Sequence, residues 1–181
     1  MSPRFPLVTE PDPSLAPMFE RPLVSRVDNA NALRLLANHP QLLLRFSGLA
    51  AMFASQTSLP PLDLELVILR TAYRSRCEYE FAQHRDRAAE AGLTEEQLQA
   101  LCRDDPGEWP EREAALIALA DEIVRDAVVS DATWDRLRPT YDDQQLIELL
   151  FLPGFYRMVA GMFNTAGVAV DEGLPRWDVA D

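Results

Sequence analysis

Three side chains that can take part in chemistry lie close together in one short stretch, CEYEFAQHRDRAAEAGLT, which begins at residue 77. On a helix with about 3.6 residues per turn, Cys77, Glu80 and His84 fall within an arc of roughly 60°. A cysteine in the first turn of a helix lies near the positive end of the peptide dipoles, which lowers the pKa of its thiol and favours the reactive thiolate. A glutamate one turn later, and a histidine one turn after that, can transfer protons near neutral pH. The stretch is therefore a candidate reactive site.

The same stripe of residues also has an ordinary packing interpretation. Arg76 lies four residues before Glu80, at a spacing that favours a salt bridge on one helix face. Cys77 is small enough to be a simple core residue, and His84 can be a buried polar group whose hydrogen bonds are satisfied. Arg74 and Arg76 would favour the thiolate if they lay near the sulfur. Spacing alone leaves both interpretations open.

A metal site needs more ligands than this helix offers. Three ligands on one helix face do not easily converge on a tetrahedral ion without a fourth ligand from elsewhere. His39, the other histidine of the chain, can supply it in principle. However, a His-Pro pair that opens a helix is more often part of the local structure. We therefore expect no metal.

Composition predicts one globular domain and excludes several function classes. The chain has 181 residues, of which 48% are hydrophobic and 25% are charged, which is ordinary for a folded protein. Acidic residues outnumber basic ones by 29 to 17, the formal net charge is -12, and no basic cluster offsets it. Such a surface repels phosphate backbones, so we expect no nucleic-acid partner.

Targeting and membrane signals are weak in this sequence. The N-terminus, MSPRFPLVTEPDP, lacks an apolar core of the signal-peptide type. The best uninterrupted apolar stretch, residues 149–156, includes Pro153 and Gly154 and is far shorter than a membrane span. Two cysteines are too few for a disulfide framework. We expect a cytoplasmic protein with no membrane partner.

Residues 1–27 are predicted to form an extended N-terminal arm, because they hold six of the 14 prolines. Apolar residues within the arm indicate that it lies against its own domain or a neighbouring subunit. Residues 28–181 are predicted to form a single all-α domain, since no run alternates between apolar and polar residues. The arm and the abundant apolar residues also predict a homo-oligomer.

Capping and breaking residues predict the helices. Asp28 can cap the first helix, Thr94 opens a capping box, Gly92 and Gly167 can end helices, and Pro153 is expected to kink or break the last one. The predicted helical ranges are 28–38, 41–55, 62–75, 77–91, 94–102, 111–127, 131–137 and 143–166.

The run LELVILR (64–70), followed by Cys77, YEF (79–81), His84 and AGLT, resembles the carboxymuconolactone decarboxylase family, which includes the alkylhydroperoxidases of the AhpD type. The resemblance covers about residues 60–102 and continues more loosely through the second half. It implies an AhpD-like helical bundle that assembles as a trimer or a multiple of trimers, with sites near subunit contacts.

The alkylhydroperoxidase motif is a glutamate, a cysteine twelve residues later, a second cysteine three residues on and a histidine four further on. This chain supplies Glu65, Cys77 and His84, but Glu80 stands where the second cysteine belongs. A peroxidatic thiolate becomes a sulfenic acid, which needs a nearby thiol for recycling, and Glu80 cannot provide one. Cys102 is the remaining cysteine.

The leading functional hypothesis is a decarboxylase-like enzyme that acts without a cofactor on a small carboxylated or lactone-like compound. The substrate's own carbonyl would take up the electrons, so the protein has to supply oriented proton donors. His84 is the candidate acid or base, and Glu65 and Glu80 orient it or relay protons. Arg70 is a candidate anchor for a substrate carboxylate, and a salt bridge to Glu65 or Glu78 is at least as good an explanation for it.

Two other hypotheses stay open. In the first, the chain is a thiol peroxidase in which Cys77 attacks a hydroperoxide, with Cys102 or an external thiol as the resolving group. In the second, it is a non-catalytic helical scaffold or binding protein.

Overall fold

The computed structural model describes residues 3–20 and 30–176, with only the backbone of Glu20. Within this part of the chain the fold is all-α, as predicted: nine α-helices and no strand. The helices are α1 (Ala16–Glu20), α2 (Asn31–Leu36), α3 (Pro40–Ala51), α4 (Pro61–Arg74), α5 (Glu78–Glu90), α6 (Glu95–Leu101), α7 (Glu111–Asp126), α8 (Asp131–Leu137) and α9 (Asp143–Ala166). A 3-10 turn, Pro13–Leu15, precedes α1, and a π-helical turn, Met52–Gln56, follows α3.

The chain divides into two compact units by its internal contacts. The first unit is Met1–Thr57 with Phe163–Leu174, and the second is Ser58–Met162 with Pro175–Asp181. All four residues of the candidate site belong to the second unit. The predicted boundary between an arm and a domain at residue 27 stays a prediction.

In the first unit, the N-terminal segment lies against its own chain. The backbone N–H of Arg4 donates to the carbonyl of Ala166 at 2.9 Å, and Val8 and Arg34 bond to each other through Val8 N–H and Arg34 Nε. The Asn38 amide donates to the carbonyl of Pro6 at 2.9 Å. These bonds tie the segment to α2 and to the end of α9.

The N-terminal segment is not extended throughout, so that part of the prediction is not confirmed. Asp12 accepts a hydrogen bond from the backbone N–H of Ser14 at 2.8 Å, and Pro13 supplies the fixed φ of a first helical position. The cap and the proline start the 3-10 turn that leads into α1. Helix α2 begins at Asn31 with Ala30 as its N-cap residue. Asp28, the predicted cap, lies outside the described residues.

Helix α4 is the centre of the second unit, where it packs against α5, α6 and α7. Every residue from Leu64 to Ala72 is buried, which a helix achieves only when it is covered on all sides. Thr94 forms the predicted capping box with Gln97 at the start of α6, and Gly92, with φ 114°, ends α5. Local signals therefore placed these helix ends correctly.

Helix α9 runs for 24 residues through Pro153, so the predicted break does not occur. Leu149, Leu152 and Phe155 are buried on either side of the proline, and their packing holds the helix together. By length and a mean hydropathy of 1.5 alone, α9 passes as a membrane span, which the search for uninterrupted apolar runs missed. Half of that window is buried inside the protein, as in the core helix of a soluble protein, so the signal is weak.

Candidate active site

Cys77 is the N-cap residue of α5, in the tight connection after α4. Its side chain is fully buried, and its backbone N–H donates to the carbonyl of Ala72 at 2.9 Å. Burial raises the pKa of the Cys77 thiol far above its ordinary value, and the charge of Glu80 adds to this rise. Backbone N–H groups of Glu80 and Tyr79 oppose the rise without overcoming it. Burial thus outweighs the helix terminus, and the neutral thiol of Cys77 is favoured over the thiolate.

The two arginines expected to favour the thiolate have other roles or positions. Arg74 pairs with Asp104 at 3.1 Å and with Asp121 at 3.4 Å. Arg76 adopts a left-handed backbone conformation, with φ 51°, in the turn that leads to Cys77. Neither guanidinium is among the groups that influence the thiol.

His84 and Glu65 form a direct buried hydrogen bond between α5 and α4. His84 Nδ1 lies 2.8 Å from Glu65 Oε2, and each residue is 6% exposed. A carboxylate accepts a hydrogen bond, so His84 Nδ1 is the nitrogen that carries the donated proton. In the neutral tautomer this leaves the lone pair on Nε2, which is the arrangement a general base requires.

Glu80 is buried without a satisfied hydrogen bond. It is 3% exposed, and neither carboxyl oxygen has a partner with hydrogen-bond geometry. Burial raises the pKa of Glu80 well above its ordinary value, and proximity of the Cys77 thiol lowers it only partly. Burial therefore favours the neutral form of the Glu80 carboxyl group. The salt bridge to Arg76 that the packing interpretation allowed is absent.

Tyr156 of α9 joins the cluster, and sequence reasoning did not single it out. Its ring meets the His84 ring edge to face, with centroids 5.2 Å apart and planes at 86°. Burial, followed by the charges of Glu65 and Glu80, raises the pKa of the Tyr156 phenol well above its ordinary value. The available signal was a phenolic hydroxyl within the apolar run FLPGFY, which includes the predicted helix break.

Arg70 lies in a separate cluster. Its Nε and Nη2 bond to the two carboxylate oxygens of Asp121 at 2.6 and 2.7 Å. Nη1 donates to the carbonyls of Leu101 and Arg103, and Nη2 also donates to the carbonyl of Asp104. All five N–H donors of the guanidinium are thus occupied. The salt bridge is to Asp121 and not to Glu65 or Glu78, and no donor remains for a substrate carboxylate.

The remaining candidate residues have local roles. Cys102 is a free, buried cysteine like Cys77, and burial raises the pKa of its thiol to about 11. His39 caps α3, where its Nδ1 accepts from the backbone N–H of Leu42 at 3.3 Å. No group of three or more possible metal ligands occurs among the described residues.

The structure thus joins Glu65 to His84 by a hydrogen bond and places Glu80 beside Cys77. Tyr156, which is half-buried, contacts the His84 ring, and Glu65 and Glu80 both raise the pKa of its phenol, so the five residues form one cluster. We call Glu65, Cys77, Glu80, His84 and Tyr156 the His84 cluster. A pocket of about 620 Å³ lies in the same unit, but none of these five residues lines it. The prediction that the candidate residues share one pocket stays a prediction.

Comparison with protein families gives a match over the central part of the chain. Residues 40–121 match the carboxymuconolactone decarboxylase family. This range includes Glu65, Cys77, Glu80 and His84, but not Tyr156. No curated protein matches the chain.

Several solved structures share the fold at low sequence identity. An uncharacterised peroxidase-related protein from Silicibacter sp. TM1040 aligns with a TM-score of 0.79 and 16% identity over 95% of both chains. The debrominase Bmp8, as a cysteine-to-alanine variant in complex with 2,3,4-tribromopyrrole, aligns with a TM-score of 0.74 and 16% identity over 94% of this chain and 95% of its own. A putative antioxidant defence protein AhpD from Agrobacterium tumefaciens aligns with a TM-score of 0.66 and 17% identity over 75% of this chain and 94% of its own.

Proposed function

We propose that the chain, whose residues 40–121 match the carboxymuconolactone decarboxylase family, is a cofactor-free enzyme of the decarboxylase type. Its substrate class would be a small carboxylated or lactone-like compound. The observation that carries this proposal is the buried carboxyl group of Glu80, whose oxygens have no partner with hydrogen-bond geometry and whose pKa burial raises. It lies one helical turn before His84, which is hydrogen-bonded to Glu65. A buried acid and a buried base in one cluster are the groups that proton-transfer catalysis requires.

The proposed reaction assigns a separate task to each group. The substrate's carbon–carboxylate bond breaks, CO₂ leaves, and the electron pair moves into the neighbouring carbonyl to give an enolate. Glu80 then donates its proton to the enolate carbon, and the ionised Glu80 recovers a proton from solvent. His84, held by Glu65, accepts a proton through Nε2 when the substrate reacts from an enol form or a lactone. Tyr156 contacts the His84 ring and limits its rotation.

The direct test is CO₂ release from a panel of small β-keto carboxylates and carboxylated lactones. His84→Gln should lower the rate by about 10²- to 10⁴-fold, as removal of a general acid or base does. His39→Gln is the matched control, because it removes the other histidine, whose ring caps α3. Full activity of His84→Gln, or an equal loss in both variants, contradicts the proposal.

A thiol-dependent reaction is the second candidate. The observation in its favour is the location of Cys77 at the N-cap of α5, where two backbone N–H groups favour the thiolate. The raised pKa of the Cys77 thiol argues against a thiol-dependent reaction in this structure. Cys77→Ser separates the two: it should abolish a thiol reaction with peroxides or halogenated substrates and leave the decarboxylation nearly unchanged.

A homo-oligomer in the cytoplasm is part of the proposal. Helix α9 carries exposed apolar residues at helical spacing (Ile147, Leu150, Phe151 and Met158), which a partner subunit would cover. Light scattering at micromolar concentration should give a trimer mass or a multiple of it. A monomer mass would contradict this part of the proposal. A non-catalytic scaffold is the conclusion if no substrate of any class reacts and the cluster binds no small acid.

A further inference from the structure

A cleft in the second unit, apart from the His84 cluster, has the properties of a binding site. It lies between α5, α6 and residues 175–176, with a volume of about 620 Å³. Ligand pockets in proteins usually have volumes of about 300–1,000 Å³, so a small organic molecule fits. Because no residue of the His84 cluster lines this cleft, its ligand would not contact the proposed catalytic groups directly.

The cleft concentrates positive charge in a strongly acidic chain. Arg85, Arg103 and Arg176 line it, against one carboxylate, Glu95. Glu95 pairs with Arg85 at 2.5 Å. The Arg176 guanidinium is 70% exposed and forms a long ion pair with Glu78, at 3.9 Å.

Arg103 is exposed and forms no ion pair within the described part of the chain. Its backbone carbonyl accepts from Arg70, which fixes the backbone from which the side chain extends. Arg103 and Arg176 therefore leave two guanidinium groups available for an anion, and guanidinium groups bind carboxylates in a two-pronged geometry.

The walls of the cleft combine these charged groups with apolar side chains. Tyr73, Phe81, Leu98 and Pro175 supply two aromatic rings, an aliphatic side chain and a proline ring. Cys102 also lines the cleft, and because burial raises the pKa of its thiol to about 11, it presents a neutral sulfur. A cleft that combines ring and aliphatic surfaces with guanidinium groups suits an amphiphilic ligand with an apolar body and an anionic end.

We propose that this cleft binds a small organic carboxylate with a flat apolar body. The carboxylate lies between Arg103 and Arg176, and the apolar body contacts the rings of Tyr73 and Phe81. Phe81 directly follows Glu80 on α5, so an occupied cleft would also immobilise the helix that carries the proposed acid.

Isothermal titration calorimetry with two matched probes, 2-naphthoate and its uncharged analogue 2-naphthamide, tests the charge requirement. The wild-type protein should bind 2-naphthoate at least several-fold more tightly than 2-naphthamide. The double variant Arg103→Gln/Arg176→Gln should bind 2-naphthoate about tenfold more weakly, as expected for two partly exposed ion pairs. Arg125→Gln, which removes an exposed arginine outside the cleft, is the control and should bind as the wild type does.

A second pair of variants tests the location. Gln99→Trp places a large ring in the cleft from an exposed position and should abolish binding of 2-naphthoate, whereas Glu96→Trp on the same helix should not. Equal affinity for the acid and the amide would overturn the proposal, as would no detectable binding or unchanged binding in both the double variant and Gln99→Trp. These outcomes do not depend on whether the His84 cluster catalyses a decarboxylation.

Discussion

Two buried polar clusters share helix α4 and differ in how completely their hydrogen bonds are satisfied. Glu65 and Arg70 are five residues apart, which turns their side chains roughly 140° from each other around the helix. Arg70 uses every donor on Asp121 and three backbone carbonyls. Glu65 bonds to His84, next to a Glu80 carboxyl group that has no hydrogen-bond partner.

The difference separates a structural cluster from a functional candidate. A fully satisfied buried network rigidifies a fold, whereas an unsatisfied buried polar group costs about 1–3 kcal/mol of stability. The Arg70 cluster ties α4 to α7 and to the loop after α6, so its role is stability. No hydrogen bond to the Glu80 carboxyl oxygens offsets this cost. Such groups are common where a protein must bind or transfer protons.

The largest expected effect is on the free energy of unfolding, when the fully hydrogen-bonded Arg70 cluster is disrupted. Arg70→Met leaves Asp121 and three carbonyls without their donors, and should lower the free energy of unfolding by about 3–5 kcal/mol. Urea unfolding measures this loss. Arg74→Met on the same helix is the control and should cost about 1 kcal/mol or less, because its ion pairs are partly exposed. Similar losses in both variants would break the distinction between the clusters.

The next effect concerns the charge state of Glu80. Its pKa is raised on folding, so above the ordinary pKa of 4.5 the unfolded chain releases a proton that the folded chain keeps. The stability contribution is therefore fully present below pH 4.5 and is lost as pH rises, with a limiting slope of about 1.4 kcal/mol per pH unit.

Glu80→Gln removes this slope, so the variant should gain stability relative to the wild type between pH 5 and 8. Unfolding curves at several pH values measure the gain. Glu78→Gln, at the partly exposed position two residues earlier, is the control and should leave the slope in place. A wild-type stability that does not depend on pH in this range would show that Glu80 titrates normally.

A smaller effect is expected from a pair of tyrosines. The Tyr141 hydroxyl donates to Asp63 Oδ2 at 2.7 Å in the interior, so Tyr141→Phe should cost about 1–2 kcal/mol. Tyr156→Phe keeps the ring contact with His84 and should cost about 0.5 kcal/mol or less, while it changes the pH profile of the reaction. Thermal unfolding of both variants gives the comparison. A larger loss for Tyr156→Phe would assign that tyrosine a structural role.

The smallest effect is a gain of redox chemistry. Glu80→Cys restores a second thiol one helical turn from Cys77 and should allow a disulfide between them, which mass spectrometry detects. Dithiol-dependent peroxide turnover should rise modestly above a wild-type level that is low, because the wild-type protein lacks a resolving thiol at that position. Glu78→Cys serves as the control. Fast wild-type turnover through a disulfide between Cys77 and Cys102 would instead support the peroxidase hypothesis.

Local signals in the sequence predicted the helices well and the partners of buried groups less well. Thr94, Gly92 and Gly167 end or begin helices through bonds to near neighbours, which is why they could be recognised. The range 143–166 was predicted correctly, but a break at Pro153 does not occur, because distant packing decides whether a helix continues through a proline. The motif positions of Glu65 and His84 predicted their pairing, but Arg70's true partner, Asp121, is 51 residues away and carries no local signal.

The thiol of Cys77 and the ring of Tyr156 show the same limit. A helix terminus is visible in the sequence, but the depth of burial that raises the pKa of Cys77 is not. Tyr156 reaches His84 only because α9 packs in the same unit as α5. Charge states and contacts between helices could therefore not be predicted from the sequence alone.

Infrared spectroscopy of the protonated carboxyl group at pH 7 tests most directly whether Glu80 is a neutral proton donor. The difference spectrum between the wild type and Glu80→Gln should contain the carbonyl stretch of one carboxylic acid in a weakly hydrogen-bonding environment. That band should persist as pH rises to 8, because burial raises the pKa of Glu80. A difference spectrum that shows only carboxylate bands at pH 7 would mean that Glu80 is ionised, and would contradict its proposed role as the acid.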